Sequence, residues 1–354
     1  MLKPSAVEAI SPAIERTKQY LLQPFRLGRF LKLTLVASLT EGGMSSCNFN
    51  SGTRSGSTEG LHIPMHMPVM HWPALPIIIA IVAAVLVIVI PLIIVLSYLL
   101  IRLRFSYFDC VLRLQDRISP AWARFHRQTM RYLGLSLCIG IAFWAVLILT
   151  AWKTYERFRP LFESIGSDKP PVWTDFLPLI AVVLPLLMVV GLVAYLLETT
   201  MNCFMLPHMA LEDASIGEAV AEVWGNVRLE PGQFALFLLL KVLLSLAASI
   251  IAVIALMIPL VILGIIAVVL VLILKAISTT VAVLLGVPAA ILVIALFLLA
   301  GMGMGGSIGT FRRNYALLFY AGRYPELAAV LWPAPIPPPP PLEAGFTPES
   351  SEGV

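Results

Sequence analysis

The chain has 354 residues, of which 59% are hydrophobic and only 12% are charged. Soluble domains carry roughly 45–50% apolar and about 25% charged residues, so this composition excludes an ordinary water-soluble globule. It also excludes a disordered chain, because disorder needs low hydrophobicity and a high net charge, whereas the formal net charge here is +4.

Three apolar runs are long enough to cross a bilayer as single helices. A crossing takes about 20 apolar residues, and residues 75–101, 132–152 and 176–197 each contain no charged residue. Only helices and closed barrels satisfy their backbone in lipid, and barrel strands would be shorter and would alternate in polarity. The sequence therefore predicts an all-α, polytopic transmembrane helix bundle.

A fourth apolar region, residues 233–310, is harder to divide into crossings. It is 78 residues long and its only charged residues are Lys241 and Lys275. This length suits about three crossings of about 20 residues each, with breaks near Pro259 and Ser278. Two full crossings with a re-entrant pair are the alternative.

The loop charges predict the orientation. Residues 102–131 hold seven arginines against two acids, whereas residues 153–175 hold four basic and four acidic residues. By the positive-inside rule the arginine-rich loop is cytoplasmic. The basic N-terminus can lie on the same side only if residues 27–40 also cross, and we interpret them as a short or partly inserted first span. Basic residues after position 310 favour a cytoplasmic C-terminus, which requires the re-entrant alternative in residues 233–310. The predicted total is six or seven spans, and the side of the C-terminus stays open.

Three serines predict the starts of three related helices. Ser11 and Ser119 each precede a proline, which suits the first helical position, and Ser215 begins an S-x-x-E capping box with Glu218. The residues that follow are amphipathic, which is typical of helices at a membrane interface. These similarities predict a pseudo-threefold repeat of an interfacial helix and a transmembrane hairpin. The predicted membrane domain covers residues 1–325, followed by a proline-rich disordered tail, 326–354, and its repeat units are 1–101, 102–198 and 199–325.

Three segments carry a resemblance to a known group of proteins. Residues 209–219 read Met-Ala-Leu-Glu-Asp-Ala-Ser-Ile-Gly-Glu-Ala and precede a tryptophan and an apolar run, and residues 24–30 and 108–113 match the same group. The chain resembles uncharacterised bacterial multi-pass membrane proteins, which are loosely akin to the membrane domain attached to some glycerophosphodiester phosphodiesterases. The resemblance implies a bacterial inner membrane protein without an assigned activity. The soluble phosphodiesterase domain is missing, so its chemistry is not transferred.

Few ionisable residues are candidates for a functional site, and each candidate can also be explained by a purely structural role. Lys241 could line a cavity or bind a lipid phosphate, or its side chain could extend to the cytoplasmic head groups. The arginines of residues 102–131 could bind anionic lipids, or could serve orientation alone. One cluster of mostly acidic residues comprises His208, Glu212, Asp213, Glu218 and Glu222. These residues could carry out acid–base or metal chemistry, or the acids could cap a helix.

Two further segments are candidates of other kinds. Residues 62–71 hold three histidines and three methionines, which suit copper(I), although a loop packed on the outer face explains them as well. The glycine run of residues 301–306 favours close helix packing or a broken helix. We assign no catalytic, cofactor-binding or metal-binding residue and no cofactor.

The leading functional hypothesis is a non-enzymatic membrane module that binds lipids or partner proteins. The alternatives are a permease or channel for an apolar or amphiphilic solute and, as the weakest, a lipid-modifying intramembrane enzyme. The expected partners are membrane lipids and proteins in the membrane. Nucleic acid is excluded because the basic residues are interleaved with membrane-facing aromatics. The oligomeric state does not follow from the sequence.

Overall fold

The computed structural model describes residues 4–43, 74–115, 119–164 and 173–333, which form helices and turns with no strand among them. Two π-helical turns, Ser38–Gly43 and Thr200–Met205, extend the ends of α2 and α6. The α-helices are α1 Ile10–Leu22, α2 Leu27–Ala37, α3 Ala74–Arg113, α4 Ser119–Arg124, α5 His126–Ser164, α6 Leu177–Thr199, α7 Leu206–Leu211, α8 Ile216–Leu229, α9 Pro231–Ile277, α10 Thr279–Ala321 and α11 Pro325–Leu331.

The packed core lies at one end of the long helices. It is formed by the short helices together with the C-terminal ends of α3, α6 and α10 and the N-terminal ends of α5 and α9. Stacked aromatic rings hold these ends together: the Phe237 ring lies 4.5 Å from that of Phe319 and 5.0 Å from that of Tyr315. We call this region the basal core. Because three long helices end there and two begin there, their other ends all point away from it.

Five helices are long and apolar enough to cross a membrane, and their most apolar segments are almost wholly exposed. Exposed apolar surface on this scale is stable only where lipid covers it. The fold is therefore an all-α, polytopic membrane bundle, as the composition predicts. The candidate spans are Val85–Arg113, His126–Leu161, Thr174–Leu211, Pro231–Ala276 and Val283–Ala321.

The described residues contain five such helices, and the predicted total of six or seven spans for the whole chain stays a prediction. Residues 231–321 form two long helices, α9 and α10, rather than three crossings or two with a re-entrant pair. The break at Ser278 is confirmed, but Pro259 lies inside α9 without ending it. Proline is tolerated within transmembrane helices, so its position did not mark a turn. Two helices return the chain to the basal core, beside the basic ends of the other helices.

The segment predicted as a short or partly inserted first span, residues 27–40, does not form a helix long enough for a full crossing. It forms the eleven-residue α2 and a π-helical turn. Its end reaches the basal core, where Arg104 of α3 donates to the carbonyl oxygen of Thr40 at 3.1 and 3.2 Å. Its start lies farther along α10, because a Cβ atom at Gly303 would be 3.6 Å from the Phe30 ring and Phe30 lines an apolar pocket with Leu296. The segment is therefore inserted part-way beside α10.

Two glycines allow α2 to lie directly on α10. A Cβ atom at Gly306 would overlap the carbonyl oxygen of Thr34, and a Cβ at Gly309 would lie 2.9 Å from that of Glu41. Only glycine permits this approach of two backbones. The predicted packing role of residues 301–306 is thus confirmed at Gly306, and the alternative of a broken helix is wrong because α10 continues through the run.

The three predicted helix starts fare differently. The Ser215 capping box is confirmed, with the Ser215 hydroxyl accepting from the Glu218 amide and the Glu218 carboxylate accepting from the Ser215 amide at 2.7 Å. Ser11 is not an N-cap, because α1 already begins at Ile10. Ser119 is the first residue of α4, which ends after six residues, so the second predicted helix is broken at Phe125. The internal repeat itself stays a prediction.

The predicted disordered tail begins too early. Residues 326–331 belong to α11, and Leu327, Ala328 and Leu331 are buried in the basal core. Apolar residues interrupt the proline-rich composition at this point, and their side chains pack into the basal core. Residues 334–354 lie outside the described residues.

Candidate functional site

The polar residues of the membrane-spanning helices converge on one small cavity. Its volume is about 130 Å³, and it lies where α9 and α10 meet the two π-helical turns. Short π-helical segments widen a helix locally and are frequent at functional sites. Both turns contribute to the lining, which consists of Thr40, Glu41, Tyr195, Glu198, Thr199, Asn202, Cys203, Lys241 and Arg312.

Lys241 is the most enclosed cation of the cavity. It is 6% exposed, and its Nζ donates to Thr199 Oγ1 and contacts Cys203 Sγ, both at 3.2 Å. Its ammonium group also lies 5.8 Å from the centre of the Tyr195 ring. Of the two readings of Lys241, the structure agrees with the cavity and not with a side chain extended to the head groups. No carboxylate among the described residues pairs with it.

Arg104 is a second cation held by neutral groups. Besides the Thr40 carbonyl, it donates to Asn202 Oδ1 at 2.6 Å, and the Tyr132 hydroxyl donates to the same oxygen at 2.5 Å. Asn202 therefore joins α3 and α5 to the second π-helical turn. A buried charge is costly without a partner, and here the oxygens of Thr40 and Asn202 accept hydrogen bonds from the guanidinium.

Glu41 and Arg313 form a buried ion pair beside the cavity. Arg313 Nη2 lies 2.6 Å from Glu41 Oε1, with side-chain exposures of 1% and 13%. Arg313 also donates to the carbonyl oxygen of Asn202 at 2.6 Å, and Arg312 donates to the carbonyl oxygen of Glu41 at 3.4 Å. Around the cavity four cations thus face two carboxylates, which leaves a local excess of positive charge.

A larger groove adjoins the cavity and shares Glu198 and Asn202 with it. The groove runs between α3, α5 and α6 and has a volume of about 320 Å³. Arg104, Tyr132 and Asn202 line it at the basal core, whereas Ile139, Phe143 and Ala194 line it farther along the spans. Its polarity therefore falls from the basal core towards the bilayer interior.

The predicted acidic cluster is brought together only in part, with Glu212 beside His208 and with Asp213 and Glu218 engaged elsewhere. Glu218 caps α8, and the hydrogen bonds from Ser215 lower the pKa of its carboxyl group. Asp213, at φ 52°, lies 3.2 Å from Arg131. His208 is buried, with Nε2 2.7 Å from the Tyr320 hydroxyl and Nδ1 3.8 Å from the Glu212 carboxylate. Glu222 is exposed on α8. The capping interpretation therefore holds for Glu218 alone.

The predicted two-sided character of residues 122–133 is confirmed except at Met130, which was placed on the apolar side and is exposed. Phe125 and Thr129 are buried, whereas Arg124 and Arg127 are exposed on the other side. On α8, Ala219 and Val223 are buried, but Val220 and Trp224 of the predicted apolar stripe remain exposed. Arg228 stacks on Trp224 at 5.0 Å, and tryptophan in this setting is typical of a membrane interface.

No group of three or more His, Cys, Asp or Glu residues in the described ranges is arranged to hold a metal ion. The His/Met segment of residues 62–71 lies outside those ranges, so its metal binding stays a prediction. Sequence reasoning missed Glu41, Glu198 and Asn202, and used Arg312 and Arg313 only for orientation. The only signal for these residues in the sequence was a single charge or amide at the end of an apolar run. Such a signal does not show that the ends of two apolar runs come together in the structure.

A family model matches residues 4–330 and is described as a family of unknown function (DUF7544). The chain belongs to this family. The match agrees with the predicted resemblance to proteins of unknown function, but the likeness to the membrane domain of glycerophosphodiester phosphodiesterases stays a prediction. No curated protein and no solved structure matches the chain.

Proposed function

We propose that this protein is a non-enzymatic membrane module that binds lipids, with an anionic head group in the cavity of Lys241. The observation that supports this function is a 6% exposed lysine in a polar cavity, with no carboxylate partner in the described part of the chain. Ionisable groups at such depth are costly and usually serve function. Of the lipids and partner proteins considered from the sequence, lipids are favoured because the cavity is enclosed and small.

The engagement of the nearby carboxylates supports a binding role over a catalytic one. The carboxylates of the lining are Glu41 and Glu198. Glu41 faces Arg313 in an ion pair, and Glu198 also interacts with the protein around it. A general acid or base must be free to reach a substrate proton, and a carboxylate that is already engaged is poorly placed for that role. We therefore propose that the protein is not an enzyme.

The proposed location is the bacterial inner membrane, with the basal core on the cytoplasmic side. Arginines of the basal core, such as Arg104, Arg127 and Arg313, support this orientation through the positive-inside rule. The exposed Trp224 with Arg228 stacked on it supports an interfacial position for α8. The resemblance to bacterial membrane proteins supports the choice of membrane.

The test compares lipid binding by the purified full chain and by Lys241→Met. Native mass spectrometry from nanodiscs of mixed phosphatidylglycerol and phosphatidylcholine measures the ratio of the two bound lipids. A hydrogen bond to a charged group contributes about 1.5–3 kcal/mol, so the variant should lose at least tenfold of the preference for the anionic lipid. Lys275→Met, at the far end of α9, is the matched control and should keep it. An unchanged preference in Lys241→Met would contradict the proposed function.

A permease for an amphiphilic solute is a second candidate, favoured by the position of Lys241 in a cavity that adjoins a membrane-facing groove. Flux of labelled palmitate into proteoliposomes tests it. Transport above that of protein-free liposomes, and lost in Lys241→Met, would favour a permease. Binding without flux would leave the lipid-binding module.

A further inference from the structure

We infer that the cavity and the groove together form one site for a long-chain fatty acid, with the carboxylate in the cavity and the acyl chain in the groove. This inference rests on the proposed function and adds to it the class of ligand. The two spaces adjoin, because Glu198 and Asn202 line both. One end is polar and cationic, and the other is apolar, which is the pattern of a single-chain amphiphile.

The cavity suits a small anionic head. Ligand pockets for whole small molecules begin at about 300 Å³, and the cavity measures about 130 Å³, so it holds a single anionic group such as a carboxylate rather than a whole ligand. Lys241 and Arg312 line it, and Arg104 lies beside it. One buried donor of the lining, Nε of Arg312, has no hydrogen-bond partner among the described residues. Buried donors are nearly always paired, and a carboxylate would supply acceptors at this position.

The groove suits one acyl chain rather than two. From Tyr132 to Phe143, both on α5 and both in its lining, the groove extends about 16 Å at about 1.5 Å per residue. Its volume of about 320 Å³ is at the lower limit for ligand pockets. Gly140 lies midway along this wall, and a Cβ atom there would meet no heavy atom within 4 Å. A larger side chain at Gly140 would therefore enter the groove without displacing the helices.

The orientation of the ligand follows from the polarity. The cations lie at the basal core, at the membrane surface, and the apolar wall of Ile139, Phe143 and Ala194 continues into the bilayer. A fatty acid in the bilayer has the same arrangement, with its carboxylate at the surface. It can therefore enter sideways from the lipid between α5 and α6 without turning over.

The test measures binding of radiolabelled palmitate to the full chain in phosphatidylcholine nanodiscs, corrected for empty nanodiscs. We expect Lys241→Met and Gly140→Leu each to weaken palmitate binding at least tenfold. Gly191→Leu is the matched control, because Gly191 is exposed on α6 and also has no neighbour within 4 Å of a Cβ atom; it should bind as the natural chain does. Circular dichroism and thermal unfolding check that all three variants fold.

Competition separates the two ends of the ligand. Unlabelled octanoate should compete at least tenfold more weakly than palmitate, and hexadecanol and inorganic phosphate should not compete. If Lys241→Met loses palmitate but Gly140→Leu does not, or if octanoate competes equally, the acyl-chain site is wrong while head-group binding stands. If phosphatidylglycerol displaces the labelled palmitate and excess unlabelled palmitate does not, the labelled palmitate is not held in a specific single-chain site. That result would also overturn the single-chain ligand. If neither variant changes palmitate binding and Lys241→Met keeps the preference for phosphatidylglycerol, the proposed function fails as well.

Discussion

Replacing Gly306 with alanine tests whether α2 lies directly on α10. The added methyl carbon would lie 2.5 Å from both the Cα and the carbonyl carbon of Thr34 and would overlap its carbonyl oxygen. These are backbone atoms, so no side chain can rotate away to make room. The two helices must separate, and with them the π-helical turn that brings Glu41 to Arg313.

The expected loss of stability is the difference between two effects. Overpacking in a closely packed region typically costs about 1–3 kcal/mol. The upper end of this range applies here because the added methyl group overlaps backbone atoms of Thr34. Alanine regains up to about 1 kcal/mol of helix propensity over glycine. We therefore expect Gly306→Ala to lower the free energy of unfolding by about 2 kcal/mol.

The assay is reversible unfolding of the full chain in mixed detergent micelles, followed by circular dichroism. Gly301→Ala is the matched control, because it lies in the same helix and a Cβ atom there has nothing within 4 Å. This control should be as stable as the natural chain or more stable. Equal stability of Gly306→Ala and Gly301→Ala would refute the close packing of α2 on α10.

Four further substitutions test individual contacts. Glu41→Gln removes the carboxylate that faces the buried Arg313, and breaking a buried pair should cost about 3–5 kcal/mol of unfolding free energy; a loss below about 1 kcal/mol would contradict the pairing. Tyr107→Phe removes a buried hydrogen bond of 2.8 Å between α3 and α10, for an expected loss of about 0.5–1.5 kcal/mol by the same measurement. Ser215→Ala removes the N-cap of α8 and should cost about 1 kcal/mol. Because folding lowers the pKa of Glu218, its stabilising effect is complete above the pKa of an unfolded glutamate and is lost as the pH falls through the folded value; the stability difference between the natural chain and Glu218→Gln should therefore disappear in acid.

The sequence predicts the helical membrane fold because long apolar runs without charges leave few alternatives in lipid. It also predicts the start of α8, because the Ser215 capping box acts within four residues. Both features depend on local chemistry. The turn at Ser278 was found for the same reason, since a polar residue there interrupts an otherwise apolar stretch.

The number of crossings could not be derived from the same runs. Residues 233–310 contain so few polar residues that only the length of the stretch suggested how to divide it into crossings. The structure instead has two helices there, of 47 and 43 residues. The basic N-terminus was assigned a crossing to satisfy the loop charges. Packing of α2 against Gly306 and Gly309 of α10 instead lays the segment along α10, part-way into the spans, with its end at the basal core.

The cavity could be predicted only in part. Lys241 stands out in the sequence as an isolated charge in an apolar run, and a cavity was one of its two interpretations. Glu41, Glu198 and Asn202 come from segments far apart in the chain. Their meeting depends on the π-helical turns and on the approach of α2 to α10, which no local pattern specifies.

The account depends most directly on five helices that cross a membrane with the basal core on one side. Accessibility of single cysteines to a membrane-impermeant thiol reagent tests this, in a background without the four native cysteines. Lys153→Cys and Ser278→Cys, at the ends away from the basal core, should react in intact cells, whereas Arg127→Cys and Glu222→Cys should react only after the membrane is opened. Reaction of all four from the same side of the membrane would contradict the account.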